Sequence, residues 1–354
     1  MDSFAHGGDI EGAARRLGLP AAEILDFSAS LSPLGPPAWL AEELLAAADR
    51  LRHYPDPRCR LLTEAAAARH GVEPAEIVCL NGSTELLHLL PRLARRLGLA
   101  QAVACVPAYA DYLGPWRAEG LPARALPLDP DRGFAPDWEA LSRLAAERPS
   151  LIYLGQPNNP TGALLPAEAV RALARRHADC LVLADEAYAD FVPGLDRLTR
   201  DRPANVLTLL SLTKFYAMPG LRLGLALAEP KLTAAIRDML PPWSVGVLAQ
   251  RIGARALADA AYAEESAART TELRRELTDR LAARPGLTVF PGQANFLLVR
   301  LDAPLWPAWT APRLQEDLLR RERLLIRDCS NFEGLGDRWL RLAVPAGARR
   351  SATI

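Results

Sequence analysis

The sequence has no surplus of either charge. Across 354 residues, 42 Lys and Arg stand against 42 Asp and Glu, so the formal net charge is zero. Surfaces built for nucleic acid or anionic membranes carry a basic excess, so neither partner is expected, although a few arginines in a cleft still suffice for a small anion. Cysteine is sparse and unpatterned. The five, Cys59, Cys79, Cys105, Cys180 and Cys329, are odd in number, and no pair has the short spacing of a zinc or redox motif. No metal site is therefore expected, and buried reduced thiols are. Long apolar runs are also missing, and the start, Met1-Asp2-Ser3-Phe4-Ala5-His6, lacks the basic and apolar parts of a secretory signal. Both absences predict a cytoplasmic protein without membrane contact. Proline is plentiful, at 30 residues, but it is scattered at element boundaries and forms neither repeat nor linker.

The pattern alternates helices with short apolar runs. Leu40–Leu51, Leu61–His70 and Pro166–His177 are amphipathic and read as helices. Ala102–Val106, Leu151–Leu154, Leu181–Ala184 and Val206–Leu210 are short, apolar and bounded by turn residues, as buried parallel strands are. This alternation, from about Val78 to Leu227, predicts an α/β unit with a mostly parallel, doubly covered sheet. After Pro230 the pattern changes: a long helical region with many charges from about Leu248 to Arg284, strands at Leu287–Phe290, Asn295–Val299 and Leu340–Val344, and a helix near Arg313–Arg321. A smaller α+β unit is expected there. The division expected is a large domain over 45–235 and a small domain built from 1–44 and 236–354.

Three stretches fall in order at predicted strand ends: Gln156-Pro-Asn-Asn-Pro-Thr-Gly162, Ala184-Asp-Glu-Ala-Tyr188 and Ser211-Leu-Thr-Lys-Phe215. Singly, each has an ordinary reading: a turn before a helix, an acidic strand end, a loop lysine. The carboxyl ends of parallel strands are where an open α/β sheet builds its site. Together the stretches supply what pyridoxal 5′-phosphate (PLP) chemistry needs: an amine, a carboxylate for the ring nitrogen, donors for the phenolate oxygen and a phosphate cradle.

This order and spacing resemble the aspartate-aminotransferase superfamily, fold type I of the PLP enzymes, over nearly the whole chain. The resemblance implies that Lys214 carries the cofactor as a Schiff base and that Asp185 partners the pyridine nitrogen. It implies that Asn159 and Tyr188 bond the phenolate oxygen and that Tyr109 stacks on the ring. Ser83 and Thr84 (in Asn81-Gly-Ser-Thr-Glu85), Ser211, Thr213 and Arg222 match the phosphate end. Tyr54 matches a tyrosine that reaches a neighbouring subunit's phosphate, so a homodimer with shared sites is implied.

The flanks narrow the resemblance. His6-Gly-Gly-Asp9, Asp26-Phe-Ser-Ala-Ser-Leu-Ser-Pro-Leu-Gly35, Met239-Leu-Pro-Pro-Trp-Ser-Val245 and Leu325-Ile-Arg-Asp-Cys-Ser-Asn331 look like the L-threonine O-3-phosphate decarboxylases of cobalamin biosynthesis. Histidinol-phosphate aminotransferases share the PLP residues and are the alternative. The decarboxylase resemblance implies a small phosphorylated amino acid as substrate, held by Arg327 and Arg341 with His6, Gly7, Ser30 and Asn159. Ser30 departs from it, standing where those enzymes commonly carry Asn. The chain stops soon after Pro345, which predicts a short last helix.

Overall fold

The computed structural model describes residues 6–344. The final helix expected after Pro345 lies outside them. In chain order, β1 (Leu25–Asp26) precedes seven strands of one sheet: β2 (Ile77–Leu80), β3 (Gln101–Val106), β4 (Ala123–Pro127), β5 (Ser150–Gly155), β6 (Leu181–Asp185), β7 (Val206–Ser211) and β8 (Gly224–Leu227). Their spatial order is β2-β8-β7-β6-β5-β3-β4. All neighbours run parallel except β8, which is antiparallel to both β2 and β7. The fold is the α/β architecture that the alternation predicts.

Burial explains why these runs are strands. Ala102, Ala104 and Val106 of β3 enter one core with Leu86, Leu90 and Trp116, while Val103 and Cys105 enter another with Val170 and Val182. Successive side chains point to opposite faces, so a strand apolar throughout needs cover on both. The helix Ser83–Leu97 supplies it on one side and Ala167–Arg176 on the other.

After the main sheet come β9 (Leu287–Phe290), β10 (Phe296–Leu301), β11 (Leu324–Leu325), β12 (Arg327–Asp328) and β13 (Trp339–Ala343). A four-stranded antiparallel sheet has the order β12-β13-β10-β9, and β1 pairs in parallel with β11. The N-terminal helix Ile10–Leu17 packs Ala13 and Ala14 against Leu319 and Leu325.

The structure subdivides two of the expected helical stretches. The region Leu248–Arg284 is two helices, Val247–Ala258 and Ala260–Ala282, broken at Asp259. The Asp259 carboxylate caps the second helix through the Tyr262 amide and also accepts from Trp39 Nε1 at 2.7 Å. That local bond competes with helix continuation, as short acidic side chains do. Leu40–Leu51 likewise ends its α-helix at Ala47 and continues as a 3-10 turn to Arg52. Among the described residues no helix is long and apolar enough to cross a membrane.

Candidate active site

β4 and β5 leave β3 on opposite sides, so the sheet order reverses between β3 and β5. A crevice at the carboxyl ends of the strands results. Tyr109 and Tyr112 follow β3, Asn159 follows β5, Asp185 ends β6, Ser211 ends β7, and Thr213 and Lys214 follow it. Two adjoining cavities occupy the crevice and share Tyr109, Asn159, Tyr188 and Lys214 in their walls.

The inner cavity brings together Ser83, Thr84, Asp185, Ser211, Thr213 and Arg222 with those four shared residues. At one end lies the N-terminus of the helix Ser83–Leu97, which no side chain caps, so its first amides are free for an anion. Gly82 leads into it at φ +81°, and a Cβ there would stand 2.5 Å from Arg222 Nη2. Only glycine lets the chain turn so close to that guanidinium. Ser211 and Thr213 join the cup through their hydroxyls, 3.0 Å apart. Hydroxyls, helix amides and an arginine, with no carboxylate among them, are the donor set a phosphate dianion requires.

At the other end is Asp185, buried, whose Oδ1 accepts from the Ala187 amide at 2.9 Å and whose Oδ2 accepts from the Tyr112 hydroxyl at 2.8 Å. Burial raises its pKa, and those two bonds and the charge of Lys214 oppose the rise. Lys214 sits in the helical turn Leu212–Phe215, and its carbonyl accepts from the Ser32 amide at 3.0 Å. Burial first, then the charges of Arg341 and Arg222, lower its ammonium pKa to about 8. A lysine so lowered is still mainly charged at neutral pH but releases its proton far more readily than an ordinary lysine. Burial also pushes the hydroxyls of Tyr109 and Tyr188 up.

The outer cavity is walled by Ser30, Arg327 and Arg341 and by the N-terminal segment, including His6 and Gly7. Gly8 donates its amide to Ser28 Oγ at 2.8 Å, and a Cβ on Gly7 would meet the Ser28 carbonyl at 2.2 Å, so this wall closes only with glycine there. The His6 imidazole stands 4.0 Å from Asp111 Oδ1. Ser30 is buried beside the Tyr188 hydroxyl, and its own hydroxyl makes no hydrogen bond of normal geometry among the described residues. Arg341 donates from Nη1 to Asn159 Oδ1 at 2.5 Å and from Nη2 to the Ser28 carbonyl at 2.8 Å, while its Nε has no hydrogen-bond partner among the described residues. Arg327 donates to Asn331 Oδ1 at 2.7 Å. Burial, then the charge of Arg341, lowers the Arg327 pKa.

One residue stands apart. Tyr54 is 80% exposed, stacks on Trp243 at 4.7 Å and lines neither cavity. Sequence reasoning missed Tyr112, although it lies three residues after Tyr109, and left Asn331, within a quoted motif, without a role.

The chain matches aminotransferase class I and II over residues 22–352, and it belongs to that family. Its cofactor is PLP. It is 35% identical to the threonine-phosphate decarboxylase of Salmonella typhimurium, covering 99% of this chain and 94% of that one. It is 34% identical to histidinol-phosphate aminotransferase 2 of Ralstonia nicotianae, over 99% and 92%. It spans 39% of the length of the adenosylcobalamin biosynthesis bifunctional protein CobDQ of Leptospira interrogans, with 29% identity over 97% of this chain. Among solved structures, the histidinol-phosphate aminotransferase of Clostridium acetobutylicum superposes with a TM-score of 0.83 at 26% identity, covering 93% of this chain and 96% of that one. The L-threonine-O-3-phosphate decarboxylase of Porphyromonas gingivalis does so at 0.81 and 25%, over 93% and 97%.

Proposed function

We propose that the chain decarboxylates L-threonine O-3-phosphate, releasing CO2 and leaving (R)-1-aminopropan-2-ol O-phosphate for cobalamin biosynthesis. The observation that carries this reading is the pair Arg327 and Arg341. They are register partners on β12 and β13, only 7% and 5% exposed, and neither forms an ion pair among the described residues. Like charges placed opposite each other and buried are unfavourable unless anions join them. Phosphothreonine brings two, a phosphate and a carboxylate, and arginine's fork suits both.

In this reading Ser83, Thr84, Ser211, Thr213 and Arg222 hold the cofactor's phosphate, Asp185 its ring nitrogen, Asn159 and Tyr188 its phenolate oxygen, and Tyr109 its face. When bound, the cofactor accepts the electrons of whichever substrate bond stands perpendicular to its ring. Arg327 and Arg341 decide which bond that is, by gripping the substrate's two ends so that the carboxylate stands upright. His6, Gly7 and Ser30 close the outer wall, and a drier site strengthens each of these contacts. Lys214 Nζ returns a proton to Cα in place of the lost CO2.

The rest of the expected organisation joins this proposal. The cofactor-holding domain is 45–235, and the smaller one combines 1–44 with 236–354. The protein acts in the cytoplasm as a homodimer. Leu45 (80% exposed), Leu51, Tyr54, Leu61 and Trp243 leave apolar surface uncovered, and Arg222 leaves the phosphate end of the inner cavity open to solvent. A second copy bringing Tyr54 across would cover both.

The transaminase reading draws on the Ralstonia aminotransferase, which is as similar as the decarboxylase to within one percentage point. Incubation with L-threonine O-3-phosphate, with CO2 and amine quantified, tests the proposal. No CO2, together with amino transfer from histidinol phosphate to 2-oxoglutarate, would replace it with the transaminase.

A further inference from the structure

Tyr112 sits in the 3-10 turn Ala110–Tyr112 that follows β3, and its ring is fully buried. Two aromatic neighbours fix that ring. Tyr153 of β5 stacks on it at 5.1 Å with planes 13° apart, and Tyr109 meets it edge-on at 6.0 Å. Tyr153 is itself anchored, its hydroxyl accepting from Trp116 Nε1 at 2.9 Å. Held this way, the Tyr112 hydroxyl donates to Asp185 Oδ2 at 2.8 Å, while the Ala187 amide serves Oδ1 at 2.9 Å.

Three groups therefore counter the effect of burial on Asp185: the Ala187 amide, the Tyr112 hydroxyl and the charge of Lys214. Lys214 gives up its charge as a free ammonium when it bonds the cofactor, and the amide belongs to the backbone. Tyr112 is the side chain that remains. Burial, then the Asp185 charge, pushes its own proton far out of the working range, so it acts as a donor throughout. Tyr109 and Tyr188 also face this corner and stay neutral, since burial raises both. A carboxylate that must leave a proton on a neighbouring nitrogen has to be a weak base, and a donor committed to its ionised form makes it one.

We propose that Tyr112 is a positioning residue for the cofactor chemistry: its hydroxyl keeps Asp185 ionised and aimed, so that the proton shared with the cofactor's ring nitrogen stays on the nitrogen. This rests on the assignment of Asp185 to that nitrogen.

The test is the pH titration of the visible absorption band of the holoenzyme in Y112F. Phe keeps the aromatic stack and removes the donor. Asp185 then draws the shared proton, the ring loses its positive charge, and the protonated link between Lys214 and the cofactor is no longer repelled. The midpoint of the band should therefore rise by about one pH unit, and kcat should fall about tenfold with KM little changed. Y153F removes the remote bond to Trp116 while keeping the stack, and it should lower the melting temperature without moving the midpoint. Should Y112F fail to fold, 3-fluorotyrosine at position 112 gives the answer, because its more acidic hydroxyl is the better donor and must move the midpoint down. A Y112F enzyme, or a fluorotyrosine enzyme, with the wild-type midpoint overturns the proposal where D185N does move it. If D185N also leaves the midpoint unmoved, the assignment of Asp185 is what fails.

Discussion

Replacing Arg327 and Arg341 one at a time by methionine removes each charge while keeping most of the volume. Both side chains are buried and without a carboxylate ion pair among the described residues, so a bound anion is the strongest partner either can gain. Losing a charge-assisted contact to a buried anion costs about 2–5 kcal/mol. At about 1.4 kcal/mol per decade, kcat/KM for phosphothreonine should fall roughly thirtyfold to several thousandfold in either variant. The two should differ in everything else. Arg341 also holds Asn159 Oδ1 and helps to depress the Lys214 pKa, whereas Arg327 bonds Asn331 and is not among the main influences on Lys214. R341M should therefore shift the visible band and raise the pH at which the apoprotein takes up cofactor. R327M should leave both unchanged. Steady-state assays with phosphothreonine and unphosphorylated threonine then assign the anions. The arginine that faces the phosphate penalises the phosphorylated substrate far more, and the other penalises both. Full activity in both variants would refute this account of substrate binding, and an equal spectral shift in R327M would refute the division of labour.

K214A should abolish turnover and the visible band, and borohydride reduction of the wild type should label the peptide that contains Lys214. Uptake of cofactor by the apoprotein requires a neutral Lys214 amine, so its rate should climb with rising pH through about 8 and level off above it. A midpoint at the ordinary lysine value of about 10 would show that the amine is not depressed. S30A removes a buried hydroxyl that makes no hydrogen bond of normal geometry among the described residues, so the melting temperature should hold while KM rises about fivefold, as for one lost hydrogen bond. An unchanged KM would take Ser30 out of the substrate contacts.

Much of the site was legible because its residues sit where strands end. PNNPTG, DEAY and SLTK each couple an apolar run to a polar cluster, and a parallel sheet aligns such junctions along one edge. Tyr112 was not legible on those grounds. It lies in an ordinary turn, and its meaning comes from β3, β5 and β6 lying side by side, which sets its hydroxyl on a carboxylate 73 residues away. The break at Asp259 was hidden for a different reason. An aspartate within an alanine-rich run fits a helix by periodicity, and only the bond from Trp39, 220 residues distant, shows the carboxylate engaged elsewhere. Tyr54 is the reverse case. The resemblance gave it a role at a phosphate, yet its own fold leaves it exposed on Trp243, as a residue serving a second copy would be.

The balance of charge links the whole chain to its site. A net charge of zero gives no general attraction for anions, so attraction has to be local. Lys214, Arg222, Arg327 and Arg341 line the two joined cavities, and Asp185 is the acid among their lining residues. Four cations against one carboxylate leave three positive charges to be met in a setting where water screens poorly. In the proposed reading the cofactor's phosphate would meet Arg222 and the helix N-terminus, and the link to the cofactor would tie up Lys214. That leaves Arg327 and Arg341, register partners across β12 and β13, with no carboxylate in an ion pair with either among the described residues. A substrate with a single anion would satisfy one arginine and strand the other. An amino acid bearing a second anion on its side chain would satisfy both, so the charge count supports the proposed substrate class independently of any motif.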